Sequence, residues 1–354
     1  MKILITGICG FVGAAVARQL TAASGKDEVF GIDNLSRAGS YLNRSQLVNA
    51  GIDVFHGDIR NTGDVEALPA ADWVIDAAAN ASVIAGADGR TSSRQLVENN
   101  LSGTVNLLEY CKRHGAGFVL LSTSRVYSID ALLRLPLRLE DDAFAFDGGA
   151  SPPTGASAAG VTESFSVAPP LSLYGSSKLC SELLALEYGA LFEFPVWINR
   201  CGLMAGPGQF GRADQGVFSF WIHSWRARQP LAYIGFNGRG AQVRDALHPH
   251  DLVPLLRKQM ASGGTAVNRI FNIGGGAANS CSLAALSRWC DRRFGAHDVV
   301  SSPEPRRFDI PWMVMDSSAA AQAWDWRPEI SLDQLLEEIA AHAEAHPDWL
   351  ALTS

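Results

Sequence analysis

The 354-residue sequence has no long apolar run, no basic block, no paired cysteines and no internal repeat. A membrane-spanning helix needs about 20 apolar residues, and the apolar start MKILITGICGFVG is interrupted by glycines well before that length. Without a basic stripe, nucleic acid and anionic membrane surfaces are not expected as main partners. We therefore predict a cytoplasmic protein that acts on a small molecule.

Cysteine is scarce, and its spacing carries no metal or redox motif. No C-x-x-C pair occurs, and no group of Cys and His shows the spacing of a zinc site. We expect no metal, and we expect all six cysteines to be reduced, as in most intracellular proteins. They are Cys9, Cys111, Cys180, Cys201, Cys281 and Cys290.

What the chain does have is enough apolar sequence for a large core and a regular alternation of elements. Apolar residues make up 47% of it and charged residues 18%, which disfavours disorder. In the first 125 residues, β-rich runs (KILIT, VFGID, IDVFH, DWVIDAA, GFVLLST) alternate with helical stretches such as Phe11–Ala22 and Ser92–His114. A further helix is predicted at Tyr174–Phe192. This alternation predicts an α/β fold, a Rossmann-type doubly wound parallel sheet.

The second half of the chain indicates a smaller α/β C-terminal lobe. Residues 130–170 are rich in Gly, Ala, Ser and Pro and are predicted to form a long surface loop. A later run, Ile270–Gly276, has the composition of a strand that returns to the main sheet. We predict a first domain of residues 1–203 with about 246–276, and a second of residues 204–245 with 277–354.

A glycine triplet, Gly7-x-x-Gly10-x-x-Gly13, joins the first predicted strand to the first helix. Such glycines allow a tight turn and a close approach of the backbone to a pyrophosphate, which the helix N-terminus then binds. Asp33 ends the second strand, 20 residues after Gly13, where a carboxylate accepts hydrogen bonds from the adenosine ribose. The carboxylate favours NAD over NADP, although Arg37 leaves NADP open. Asp58 is either an adenine contact or a helix N-cap.

Tyr174 and Lys178 are four residues apart in a predicted helix, so both side chains lie on one face. Tyrosine is a poor base at neutral pH because its ordinary pKa is about 10. A nearby ammonium group favours the phenolate and lowers that pKa. Thr123 ends the strand GFVLLST, and ligands of doubly wound sheets bind at this end of the strands.

Together and in this order, these motifs resemble the extended short-chain dehydrogenase/reductases, the sugar-nucleotide epimerases and dehydratases. The resemblance covers nearly the whole chain and includes ENNLSGTVNLLE and INRCGLMAGPGQF. Within the family, DNLSRAGS, HGDIRN, LSTSRVY, DQGVFSFW and IGFNGRGAQVRDALH are most similar to epimerases of CDP-linked sugars that act at C2. The resemblance implies an NAD-dependent isomerase with a nucleotide-sugar substrate, a CDP-sugar being favoured.

The resemblance also implies roles for individual residues, with Tyr174 as general base, Lys178 as its partner and Thr123 orienting the sugar oxygen. It implies a homodimer built on the helices Ser92–His114 and Tyr174–Phe192. The NAD-binding residues that it implies are Gly7, Gly10, Phe11, Val12, Gly13, Asp33, Asn34, Arg37, Asp58, Ile59, Ala77, Ala78, Ala79, Asn100, Ser122, Tyr174, Lys178 and Arg200. The substrate-binding residues are Ser82, Thr123, Arg125, Gln209, Asp214, Gln215, Arg244 and Arg306.

The sequence departs from the family at a few positions. Asp76 replaces a histidine that usually precedes the paired alanines, and Pro311 replaces a residue that is often basic. Ser124 and Arg125 stand where 4,6-dehydratases carry two acids, which disfavours elimination of water. A UDP-sugar 4-epimerase stays open as the alternative, and so does a catalytically silent NAD-binding protein.

Overall fold

The computed structural model describes residues 1–24, 27–87, 89, 92–264 and 268–353. Its centre is a seven-stranded sheet in the order β14-β10-β5-β4-β1-β2-β3, and all of its strand pairs are parallel. The strands in chain order are β1 Lys2–Thr6, β2 Glu28–Asp33, β3 Asp53–His56, β4 Trp73–Asp76, β5 Gly117–Thr123, β6 Leu137–Glu140, β7 Ala143–Phe146, β8 Ala156–Ser157, β9 Gly160–Val161, β10 Val196–Cys201, β11 Leu203–Met204, β12 Leu231–Ile234, β13 Val243–Leu247, β14 Ile270–Ile273, β15 Ser280–Ser282, β16 Val299–Ser302 and β17 Trp312–Met313.

Helices cover both faces of this sheet. The central strands are therefore buried on both sides, and their sequences are continuous apolar runs. The predicted fold class is confirmed, and the run at Ile270–Gly276 does contribute a strand, β14, to the main sheet. The helices are α1 Phe11–Ser24, α2 Ser40–Asn49, α3 Thr62–Glu66, α4 Ser93–Val97, α5 Gly103–His114, α6 Ile129–Leu133, α7 Leu173–Phe192, α8 Val217–Arg226, α9 Leu252–Ala261, α10 Leu283–Phe294, α11 Ser318–Trp324, α12 Leu332–Ala345 and α13 Trp349–Thr353.

The smaller lobe has a core of its own, built on a short mixed sheet. Strand β13 pairs with β11, β15 and β17, while β12 and β16 form a separate parallel pair. Helices α8, α10 and α12 pack together here, with Trp221, Trp225 and Leu336 among the buried side chains. The division of the chain into two domains at the residues given above stays a prediction.

Two local expectations were wrong. Residues 130–170 are not simply a loop, because they contain α6 and two hairpins, β6–β7 and β8–β9. The hairpins are stabilised by packing against the smaller lobe: Val161, Phe165 and Trp312 belong to one buried cluster. The predicted helix Ser92–His114 consists of α4, a π-helical turn at Glu98–Ser102 and α5.

Within the described part of the chain, no helix is both long enough and apolar enough to cross a membrane.

Candidate active site

A crevice of about 950 Å³ runs along the carboxyl ends of the central strands and continues into the smaller lobe. A cavity of this size and position is typical of ligand sites in doubly wound folds. Its lining includes every predicted cofactor and substrate residue except Asn100, Lys178 and Arg200. The sequence motifs therefore meet at one place, although they are spread over 300 residues.

The glycine loop is packed so tightly that side chains cannot replace two of its glycines. Gly7 has a φ of +60°, and a Cβ atom there would lie 2.9 Å from Ala78 Cα. A Cβ on Gly13 would lie 2.3 Å from the Gly7 carbonyl oxygen. The turn between β1 and α1 thus closes against the loop that follows β4, leaving the N-terminus of α1 open to the crevice.

Asp33 and Asp58 lie side by side after β2 and β3. Asp33 Oδ2 accepts a hydrogen bond from Cys9 N at 2.9 Å, and its Oδ1 accepts one from Leu35 N at 2.8 Å. Burial raises the pKa of Asp33, and these backbone donors oppose that shift. Asp58 pairs with Arg60 and accepts from Asn34 Nδ2 at 3.0 Å. Asn61 caps α3, so the N-cap interpretation of Asp58 was wrong.

Thr123 and Tyr174 place two neighbouring hydroxyl groups in the crevice. Thr123 ends β5, and its hydroxyl lies close enough to the Tyr174 phenol to lower the pKa of that phenol. Tyr174 lies in the first turn of α7, a helix capped by Ser172 Oγ, which accepts from Gly175 N at 3.0 Å. Burial raises the pKa of Tyr174 to about 12, while the Thr123 hydrogen bond and the Arg125 charge lower it. An anionic Tyr174 therefore depends on groups that stabilise its charge.

Lys178 is completely buried one turn further along α7 and is not part of the crevice lining. Burial lowers its pKa, and the carboxylates of Asp76 and Glu182 oppose that shift. Asp76, the departure from the family histidine, accepts hydrogen bonds from Thr6 Oγ1 at 2.7 Å and Thr104 Oγ1 at 2.9 Å. Asp76 is fully buried at the carboxyl end of β4.

Sequence reasoning assigned Arg200 to the cofactor, but the structure places it in a buried ion pair. Arg200 Nη2 donates to Glu182 Oε2 at 2.7 Å, and Arg200 Nη1 donates to Tyr127 Oη at 3.3 Å. The Ser122 hydroxyl donates to the other oxygen of Glu182 at 2.5 Å. Arg200 therefore ties β5, α7 and β10 together. Glu182 was missed, although its i+4 spacing from Lys178 could have revealed it.

Replacing Arg200 by Met should lower the free energy of unfolding by about 3–5 kcal/mol, because the buried Glu182 carboxylate would lose its partner. Denaturant unfolding would measure the loss, with the exposed Arg138 replaced by Met as the control. The control should stay within about 0.5 kcal/mol of wild type. Unchanged stability together with lost NAD affinity would instead show that Arg200 binds the cofactor.

Asn100 is also placed behind the crevice and not along it. The π-helical turn directs its side chain inward, where Oδ1 accepts from Asn80 N at 2.8 Å and Nδ2 donates to Ser177 Oγ at 3.1 Å. It thus joins the loop after β4 to α7. Asn80 does line the crevice and was missed, since nothing in its local sequence marks it.

The far end of the crevice is formed by both lobes. Ser82 Oγ donates to Asp214 Oδ2 at 2.7 Å, which bridges the two. Arg244 Nη2 pairs with Asp309 at 3.2 Å, and Arg306 Nη2 donates to the Ala213 carbonyl at 2.7 Å. Guanidinium groups with donors directed at a crevice suit phosphate oxygens.

This arrangement fits a dinucleotide. The N-terminus of α1 offers backbone N–H groups to a pyrophosphate, and Asp33 lies where the hydroxyl groups of a ribose could donate to its carboxylate. The hydroxyls of Thr123 and Tyr174 lie in the same crevice. Fold and crevice together define a dinucleotide-dependent enzyme of the Rossmann type.

Residues 3–274 match the NAD dependent epimerase/dehydratase family, and the chain belongs to that family. The chain is 28% identical over 344 residues to the CDP-paratose 2-epimerase of Salmonella typhi, covering 94% of this chain and 96% of the relative. It is 29% identical over 345 residues to a UDP-glucuronate 4-epimerase of Thermodesulfobacterium geofontis (strain OPF15), covering 94% and 93%.

A solved structure agrees in fold over nearly the whole chain. It is a variant of the UDP-glucuronic acid 4-epimerase of Bacillus cereus in complex with NAD and UDP-4-deoxy-4-fluoro-glucuronic acid. The TM-score is 0.74 at 25% identity, and the match covers 98% of this chain and 99% of that one. The protein is thus an NAD-dependent enzyme of the sugar-nucleotide epimerase/dehydratase superfamily.

Proposed function

We propose that the protein is a nucleotide-sugar epimerase that inverts C2 of a CDP-linked sugar such as CDP-paratose. We choose an epimerase because Ser124 and Arg125 directly follow Thr123 in the crevice. A dehydratase needs an acid and a second base to eliminate water, and neither side chain can take that role at neutral pH. The full-length similarity to CDP-paratose 2-epimerase supports the sugar and the carbon.

Asp245 is the crevice carboxyl group that could still suggest a dehydratase. Burial raises its pKa to about 6, and it lines the cavity. However, its Oδ2 accepts backbone hydrogen bonds from Gly276 at 3.1 Å and Met315 at 3.4 Å. These bonds hold the carboxyl group between β13 and its neighbours, which supports a structural role for it.

NAD, when bound, accepts a hydride from a sugar carbon and returns it. Residues of the glycine loop, Asp33, and the segment Ala77–Ala79 would hold NAD. Tyr174 takes the proton of the sugar hydroxyl, and Thr123 orients that oxygen through its own hydroxyl. Lys178 stabilises the phenolate from within α7. Tyr174 then gives the proton back, so the net reaction changes configuration without net oxidation.

Arg244 and Arg306 would bind the diphosphate, with Gln209, Asp214 and Gln215 completing the substrate site. A UDP-sugar 4-epimerase is the second candidate, since the similarity to UDP-glucuronate 4-epimerase is equally extensive. The chemistry of Tyr174 is the same in both cases; only the sugar carbon that faces the cofactor differs.

We also propose a homodimer, and light scattering that shows monomer alone would refute it.

A screen of CDP-, UDP-, GDP- and dTDP-sugars with product NMR tests the function. We expect inversion at C2 of a CDP-sugar, and reduction of the trapped keto sugar with labelled borohydride should place the label at C2. Label at C4 of a UDP-sugar would establish the second candidate. Bound NAD without conversion of any nucleotide sugar would mean a catalytically silent binding protein.

A further inference from the structure

Residues 206–214, here called the cover segment, connect β11 to α8, and part of the segment lines the crevice. The Gln209 carbonyl accepts hydrogen bonds from Trp349 Nε1 at 2.9 Å and from Ser219 Oγ at 3.2 Å. The Phe210 ring stacks on Trp349, with 5.7 Å between the ring centroids. Since Ser219 and Trp349 belong to α8 and α13, these two helices attach the cover segment to the smaller lobe.

The cover segment also contacts two parts of the Rossmann lobe that are proposed to hold NAD. A Cβ atom on Gly206 would lie 3.3 Å from Phe11 Cζ, so the backbone of the segment packs against the ring at the start of α1. After β2, the Arg37 guanidinium donates through Nη2 to the Phe210 carbonyl. Phe11 and Arg37 line the crevice together with Asp33. The segment therefore reaches the cofactor side of the crevice.

A second hydrogen bond joins the end of the cover segment to a different loop. Ser82 Oγ, in the loop after β4, donates to Asp214 Oδ2 at 2.7 Å. In the central sheet, β1 lies between β2 and β4. The glycine loop that follows β1 is therefore flanked by the two hydrogen bonds, one from Arg37 and one from Ser82.

We propose that the cover segment is a gate for NAD, and that Arg37 and Ser82 are the positioning residues that keep it closed. The proposal rests on the NAD-binding loops named in the proposed function. Each bond has one charged partner, which makes it stronger than a bond between neutral groups. Both bonds join protein atoms only, so a closed segment opposes the entry of NAD as well as its departure. Such a gate suits an enzyme that keeps one cofactor between removal and return of a hydride.

The test measures both rate constants of NAD exchange and needs no nucleotide sugar. NAD-loaded protein is mixed with alcohol dehydrogenase and ethanol, which reduce each released NAD, and the appearance of NADH gives the dissociation rate. The change in tryptophan fluorescence on mixing protein with NAD gives the association rate. In Arg37→Met and in Ser82→Ala, we expect both rate constants to rise about tenfold, as one charge-assisted hydrogen bond is lost. Kd should change by less than about threefold, because entry and departure are affected alike.

Other variants test the identity of the two bonds. Arg37→Lys should keep exchange slow, because an ammonium group can still donate to the Phe210 carbonyl. Asp214→Ala should match Ser82→Ala, and the double variant should exchange NAD no faster than either one, because all three lack the same bond.

Arg138→Met and Ser45→Ala are the matched controls. Both replace exposed side chains outside the crevice lining, so NAD exchange should keep its wild-type rates.

Three outcomes separate the gate from its alternatives. Faster dissociation with unchanged association in either variant would overturn the proposal, because loss of a direct contact with NAD has that signature. Unchanged rates in Arg37→Met and Ser82→Ala would overturn it as well. Faster entry and departure in a protein that converts no nucleotide sugar would uphold the gate and refute the proposed function instead.

Discussion

Replacing Tyr174 by Phe should lower turnover by about 10²–10⁴-fold, because in the proposed mechanism the phenol oxygen of Tyr174 takes the proton from the sugar hydroxyl. The ring is buried, and phenylalanine fills the same space, so the fold and most of the NAD affinity should remain. Steady-state kinetics and NAD titration of the same preparation would separate the two effects.

Tyr110→Phe provides the matched control. Tyr110 is another buried tyrosine, its hydroxyl donates to the Pro69 carbonyl, and it does not line the crevice. This variant should lose some stability and keep its turnover per folded molecule. Turnover at the wild-type rate in Tyr174→Phe would refute the assignment of Tyr174 as the base.

Replacing Gly13 by Ala should weaken NAD binding by about 10–100-fold, equivalent to about 1–3 kcal/mol of strain in an overpacked turn. The added Cβ would lie 2.3 Å from the Gly7 carbonyl oxygen, so α1 must move away from the loop. That movement displaces the backbone N–H groups that would face the pyrophosphate. Calorimetric titration with NAD measures the loss.

Gly148→Ala is the control for this substitution. A Cβ at Gly148 would meet no atom within 4 Å, and the residue does not have a positive φ. NAD affinity and stability should therefore stay at the wild-type level. Equal NAD affinity in Gly13→Ala and Gly148→Ala would show that the glycine loop does not bind the pyrophosphate.

The parts of the site that the sequence predicts are those encoded by short spacings. The glycine triplet, Asp33 and the pair Tyr174 and Lys178 each occupy a fixed position relative to one predicted strand or helix. Because the carboxyl ends of parallel strands meet at one edge of a sheet, these motifs also meet in space. Most of these motifs line the same crevice, and predicting this did not require knowing which distant residues contact each other.

What the sequence did not predict depends on contacts between distant residues. Arg200 follows a cofactor-like pattern, yet its partner Glu182 lies 18 residues away on another element and turns it inward. The β8–β9 hairpin within residues 130–170 is built from small residues, and its Val161 packs in a buried cluster with Trp312 of the smaller lobe. Such tertiary stabilisation overrides local propensity and is not visible in any short window.

In the proposed mechanism, a sugar carbon is inverted by removal and return of the same hydride. The most direct measurement uses the converted nucleotide sugar with deuterium at the reacting carbon, C2 in our proposal, and follows the product by NMR in ordinary water. We expect inverted product that retains the deuterium at that carbon. Inverted product in which solvent hydrogen has replaced the deuterium would contradict it, because the carbon would then have lost a proton and not a hydride.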